Sequence, residues 1–205
     1  MQRVLSGLVA ALLLLATAVV VAPVAQAASA DRISGADRYA TSAAIAARFD
    51  PTPTVWVASG ADFPDALSAA PAAVAQGGPL LLTAPGSLSA AVKTQLSRLR
   101  PATIVVAGGT GAVSVSVAKE LSAFTTSKSA SSVVRMAGAD RYATSRAIAD
   151  YAFGTTPTAY VTSGEGWADA LSAGAGPTRA QFLSFILTYP DGATIITGKR
   201  SKCAP

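Results

Sequence analysis

The sequence predicts an α/β fold built from two tandem modules, each a mostly parallel sheet flanked by helices, with the second module incomplete. Three observations carry this expectation. Gly35–Ser42 (GADRYATS) recurs letter for letter as Gly138–Ser145, 103 positions on, and Ser59–Ala69 (SGADFPDALSA) recurs as Ser163–Ala173 (SGEGWADALSA), 104 positions on. Each copy of the second motif follows a short apolar run and leads into an alanine-rich segment, the order strand, loop, helix. Through the first copy, wholly apolar runs alternate with helically spaced segments, as in a parallel sheet covered on both faces.

Met1–Ala27 stands apart from the fold. It has one basic residue, Arg3, an uncharged run from Leu8 to Ala22, and then Ala25-Gln26-Ala27. These features predict a secretory signal peptide cleaved after Ala27, or after Ala30, with a retained membrane anchor as the alternative. No cysteine follows the run, which argues against a lipid anchor.

The first module is expected over 31–124. Tyr39, Ala43, Ala46 and Phe49 share one helical face, while Thr41 and Ser42 read as helix surface. Asp50-Pro51-Thr52-Pro53 reverses the chain before a strand over Thr54–Ala58. A helix follows from Asp65 to about Gln76, which Pro71 should kink or restart, and Gly77-Gly78 ends it. Pro79–Thr83 is the next strand. Leu88, Val92, Leu96 and Leu99 mark another helix, stopped by Pro101, and Thr103–Ala107 is the third strand. GGTGAVS, Gly108–Ser114, turns that strand into a helix carrying Val117, Leu121 and Phe124. Residues 125–132 are a polar linker, 133–178 the incomplete second module and 179–205 a divergent basic tail.

Composition narrows the function. Ala28–Thr178 holds 11 basic and 10 acidic residues, whereas 179–205 holds four basic and one acidic. A nearly neutral body argues against nucleic acid as a partner, since such binding gathers basic residues on a folded face. Cys203 is the single cysteine, so the exported fold rests on packing without an internal disulfide. The chain has no histidine, which removes Ser-His-Asp and Cys-His catalysis and imidazole metal sites. No cofactor or metal is expected.

ISGADRYATS, the strand followed by SGADFPDALSAAP, GGPLLLT and VVAGGTGAVS together resemble the cell-wall-binding repeat 2 family of Gram-positive surface proteins. The match spans Asp31 to about Phe124 and returns over Val133–Ala173. The resemblance implies Rossmann-like or toprim-like modules, usually in threes. It also implies an exported, non-catalytic protein held at the wall by an anionic polysaccharide or teichoic-acid-like polymer, with no membrane partner once the signal is removed. Two modules where three are usual suggest self-association, for instance as a trimer.

After Ala173 the second copy departs from the first. Phe185–Pro190 still echoes Leu80–Pro85, and Ala193–Gly198 echoes Ala102–Gly108, yet the helix between those runs is missing. The short gap at Pro190-Asp191-Gly192 predicts an antiparallel hairpin of about Phe182–Thr188 with Ala193–Thr197. The competing expectation is a truncated or frameshifted tail without a fold.

Candidate binding residues cluster at the ends of the predicted strands, where ligands of open α/β sheets gather. Asp37, Arg38 and Tyr39, repeated as Asp140, Arg141 and Tyr142, offer a guanidinium for phosphate or carboxylate and a ring for sugar. The structural alternative is that the aspartate caps the helix, the arginine pairs with an acidic loop and the tyrosine fills the core. Ser59 and Asp65, repeated as Ser163 and Asp169, supply hydroxyl and carboxylate near helix starts. Gly108, Gly109 and Gly111 could cradle an anion or form only a tight turn, since the spacing is neither of the known glycine-rich phosphate motifs. Asp62 with Asp65 could act as a hydrolytic pair, but Gly166 replaces Asp62 in the second copy. Ser59 near Lys93 or Lys119 lacks the S-x-x-K spacing of a serine-lysine pair. An extracellular hydrolase is therefore the alternative function, and a self-associating surface-layer component or degenerate fragment the third.

Overall fold

The computed structural model describes residues 31–153, 158–174 and 183–188. Helix α1 (Arg38–Ala46) leads to strand β1 (Thr54–Ser59), helix α2 (Pro64–Ala75), strand β2 (Leu80–Thr83), helix α3 (Ala90–Leu99) and strand β3 (Thr103–Ala107). Helix α4 (Val115–Leu121) runs on into a 3-10 turn, Ser122–Phe124. Then come strand β4 (Val133–Met136), helix α5 (Arg141–Phe153), strand β5 (Thr158–Ser163), helix α6 (Ala168–Gly174) and strand β6 (Leu183–Thr188). Among the described residues no helix is long and apolar enough to cross a membrane.

Four strands form one parallel sheet in the order β2-β1-β3-β4. Alternation along β1 divides its two faces. Val55 and Val57 pack with Ile104 and Val106 of β3 against Ala46 of α1, Leu96 and Leu99 of α3 and Leu121 of α4. Trp56 and Ala58 pack with Val105 and Ala107 against Ala69, Ala72 and Ala73 of α2. The small alanines let α2 lie close to the sheet and leave room for the Trp56 indole.

The second repeat helps to build this first sheet. β4, which heads the second repeat in the sequence, pairs with β3 in the register Ile104↔Val133 to Ala107↔Met136. Ile148 of α5 is buried in the core on the α2 side of the sheet. The expected polar linker contains a 3-10 turn, Ala130–Ser132, and begins at a buried Thr125.

Most expected elements stand within a residue or two of their predicted ends, and three details differ. Pro71 lies inside a continuous α2, where it removes one N–H without ending the helix. Ser42 is buried at 6% exposure; its Oγ donates to Tyr39 O and accepts from Leu82 N of β2 at 3.0 Å. Thr41 Oγ1 accepts from Gly35 N at 3.0 Å, and Thr144 repeats this with Gly138 N at the same distance. These hydroxyls satisfy backbone donors that the helix start and the strand edge would otherwise leave open. They are structural, not a helix surface.

In the second module β5 pairs with β6 in parallel, Thr158↔Leu183 to Ser163↔Thr188. The first module pairs its own strands in nearly the same register, with Ser59 opposite Thr83. The expected strand over 182–188 is thus present as β6. Its expected hairpin partner, 193–197, lies outside the described residues.

Candidate functional site

The eight identical residues of GADRYATS build the same device twice. Asp37 caps α1, accepting from Ala40 N at 2.7 Å, and Asp140 accepts from Ala143 N at 2.7 Å. Arg38 then donates to Gly60 O, and Arg141 to Gly164 O at 3.0 Å. The tyrosine lies against that same glycine: a Cβ on Gly60 would come within 2.6 Å of the Tyr39 ring, and Tyr142 crowds Gly164 in the same way. Each arginine therefore fastens the acidic SG loop, as in the structural alternative, and does so through a backbone carbonyl. Tyr142 adds a 2.6 Å hydrogen bond from its hydroxyl to Glu165 Oε1.

Where the two repeats meet, the ends of β1 and β3 open into a cleft of about 450 Å³. The SG loop contributes Ser59, Asp62 and Asp65; the loop after β3 contributes Gly109 and Gly111; the second repeat contributes Asp140, Arg141 and Thr144. Six of the thirteen residues singled out in the sequence are therefore brought together: Ser59, Asp65, Gly109, Gly111, Asp140 and Arg141. Asp37, Arg38, Tyr39, Gly108, Tyr142, Ser163 and Asp169 are not among the lining residues. Ser59 Oγ is partly committed, accepting from Ala61 N at 3.2 Å.

Gly108 has φ 102°, and the Asp65 carboxylate occupies the space a side chain there would need. The N–H groups of Ala112 and Val113 turn back onto Gly109 O, and Ser114 caps α4 through Val117 N at 3.2 Å. GGTGAVS thus forms a tight strand-to-helix turn beside a carboxylate, a poor setting for a bare phosphate.

The residue that holds this turn escaped sequence reading. Arg135 of β4 donates from one terminal nitrogen to Gly108 O (2.6 Å) and Gly109 O (3.0 Å), and from the other to Val113 O (2.9 Å). Burial lowers its pKa, yet a guanidinium stays charged at any ordinary pH. The signal was present: Arg32 holds the same place one repeat earlier, outside the run of identical letters.

Burial raises the Asp65 pKa above the usual carboxylate value; neighbouring Asp62 pushes it further up and Arg141 pulls it down. A carboxyl that holds its proton more tightly when folded adds stability below its unfolded pKa, and that contribution is lost as pH rises through the folded value. Asp65→Asn is therefore expected to raise the melting temperature at pH 7. The gain should shrink towards zero near pH 3, as thermal melts across that range would show. Among the described residues, no group of three acidic or thiol side chains is placed to hold a metal ion.

Comparison with known proteins identifies the arrangement. The family model described as "Cell wall binding domain 2 (CWB2)" matches residues 32–118 and again 135–199. The chain belongs to the CWB2 family. Membership indicates cell-wall binding and a place at the cell surface. The second CWB2 match extends to 199, past the point where close identity between the two copies stops. Residues 143 in number align at 34% identity with N-acetylmuramoyl-L-alanine amidase LytC of Bacillus subtilis (strain 168), covering 69% of this chain and 28% of that protein. An alignment of the same length gives 32% identity with the amidase enhancer of the same organism, covering 69% and 19%. The chain thus spans well under a third of either relative. Cwp8 from Clostridium difficile superposes with a TM-score of 0.67 at 26% identity, over 77% of this chain and 26% of Cwp8. Cwp6 from the same organism shares the fold, with a TM-score of 0.63 at 24% identity over 80% and 27%.

Proposed function

We propose that the protein is an exported, non-catalytic CWB2 protein that holds a wall polysaccharide in the cleft between its repeats. The observation that carries this reading is the cleft itself: both family-matched repeats supply its walls, at the strand ends where α/β sheets bind ligands. Asp62, Asp65 and Asp140 accept hydrogen bonds from sugar hydroxyls, and the remaining N–H groups of Arg141 face the polymer's phosphate or carboxylate. In this reading the anionic group meets Arg141 and the sugar ring lies over the aspartates, an arrangement that the balance of charge favours.

Co-sedimentation of the chain with cell-wall sacculi, before and after acid stripping of their anionic polymers, tests this. Binding should fall at least tenfold on stripping. Equal binding to both preparations would move the ligand to peptidoglycan.

One observation favours a second reading, a carboxylate hydrolase: burial and neighbouring Asp62 raise the Asp65 pKa, the direction a general acid needs. Against it, the second repeat has Gly166 in place of Asp62. Release of soluble wall fragments by the native chain, lost in Asp65→Asn, would establish hydrolysis.

A further inference from the structure

Among the described residues, the junction between the repeats leaves a second, more exposed copy of each of its halves. On the first-repeat side, Phe63 and Leu67 at the start of α2 are half-buried. The Arg141 guanidinium lies 5.9 Å from the centre of the Phe63 ring, and Leu67 and Tyr142 both pack against the buried Ala170. The equivalent residues in the second repeat, 104 positions on, are Trp167 and Leu171, which are 59% and 53% exposed. A tryptophan and a leucine on one helical turn make an apolar patch that water covers poorly. At the other end, Arg38 and Tyr39 are the equivalents of Arg141 and Tyr142, and Arg38 is exposed. Its hydrogen bond to Gly60 O repeats that of Arg141 to Gly164 O, so the guanidinium is already held in the docked pose.

We propose that Trp167 and Leu171 dock against Arg38 and Tyr39 of a second copy of this chain, repeating between molecules the contact that joins the repeats within one. The occupant follows from the chemistry. The patch asks for an arginine fixed at a helix start with a tyrosine beside it, and the chain carries that pair at its other end, with Arg38 exposed and Tyr39 half-buried. Tryptophan in place of phenylalanine strengthens the cation-π contact. Such a contact joins unlike surfaces, so it closes into a ring or extends as an array.

Sedimentation equilibrium tests this on the full chain recovered from the medium of a secreting host, in the absence of wall material. The average mass should rise with concentration. Trp167→Ser, Leu171→Glu and Arg38→Ala should each weaken association tenfold or more. A mixture of the Trp167→Ser and Arg38→Ala chains should form a heterodimer, since each retains the surface the other lacks. Monomers at every concentration, variants that associate as the parent does, or a mixture that stays monomeric would each overturn the proposal. So would a parent monomer whose tryptophan fluorescence responds only to sacculi, which would make Trp167 a sugar platform. Because the sedimentation runs contain no ligand, their outcomes stand apart from success or failure of wall binding.

Discussion

Trp56→Ala is expected to destabilise the protein by about 3–5 kcal/mol, the cost of emptying a large aromatic site in a packed core. Trp56 has no exposed surface and stands on β1, between β2 and β3. Its neighbours on that face are Ala69, Ala72 and Ala73, whose methyl groups cannot reach into the space it would leave. Its indole N–H donates to Gln76 Oε1 at 3.1 Å, and its ring meets Tyr151 of the second repeat edge to face at 6.0 Å. The variant should therefore lose the coupling between repeats along with core volume, and its unfolding should become less cooperative. Trp56→Phe keeps most of the volume and loses the hydrogen bond, at an expected cost of about 1 kcal/mol. Urea unfolding followed by circular dichroism separates the two. If Trp56→Ala costs less than the phenylalanine variant, the indole does not anchor the junction.

Arg135→Ala is expected to cost about 1–3 kcal/mol and to weaken wall binding more than its loss of stability explains. The change removes the charged donor from three carbonyls at once, and those carbonyls hold the turn that forms one wall of the cleft. Amide exchange at Gly109–Ala112 should quicken while that of β1 stays slow. Arg135→Lys should recover only part of the effect, because a single ammonium cannot reproduce a planar fork across three acceptors. Full recovery by lysine would show that charge alone is at work.

Much of the fold was legible because its signals are local. The apolar runs of β1 and β3 and the leucine spacing of α3 need only their own neighbours to be read. What escaped depends on partners distant in the chain. Ser42 reads as helix surface until the backbone of Leu82, 40 residues away, is brought against it. Arg38 and Arg141 invite an acidic partner on charge, but the SG loops offer them carbonyls. Arg135 is one basic residue in a short strand, and its role appears only when β4 joins the sheet of the preceding repeat. The cleft was half legible for the same reason: strand-end loops are predictable within one repeat, but the contribution of Asp140 and Arg141 arises from the junction.

The measurement that tests the cleft most directly is co-sedimentation with native sacculi of the parent chain and of Ala139→Trp. Ala139 is an exposed lining residue, so an indole there fills the cleft without entering the core. An unchanged melting temperature with binding reduced tenfold or more is the predicted result. A folded Ala139→Trp chain that binds sacculi as tightly as the parent would place the polymer elsewhere on the protein.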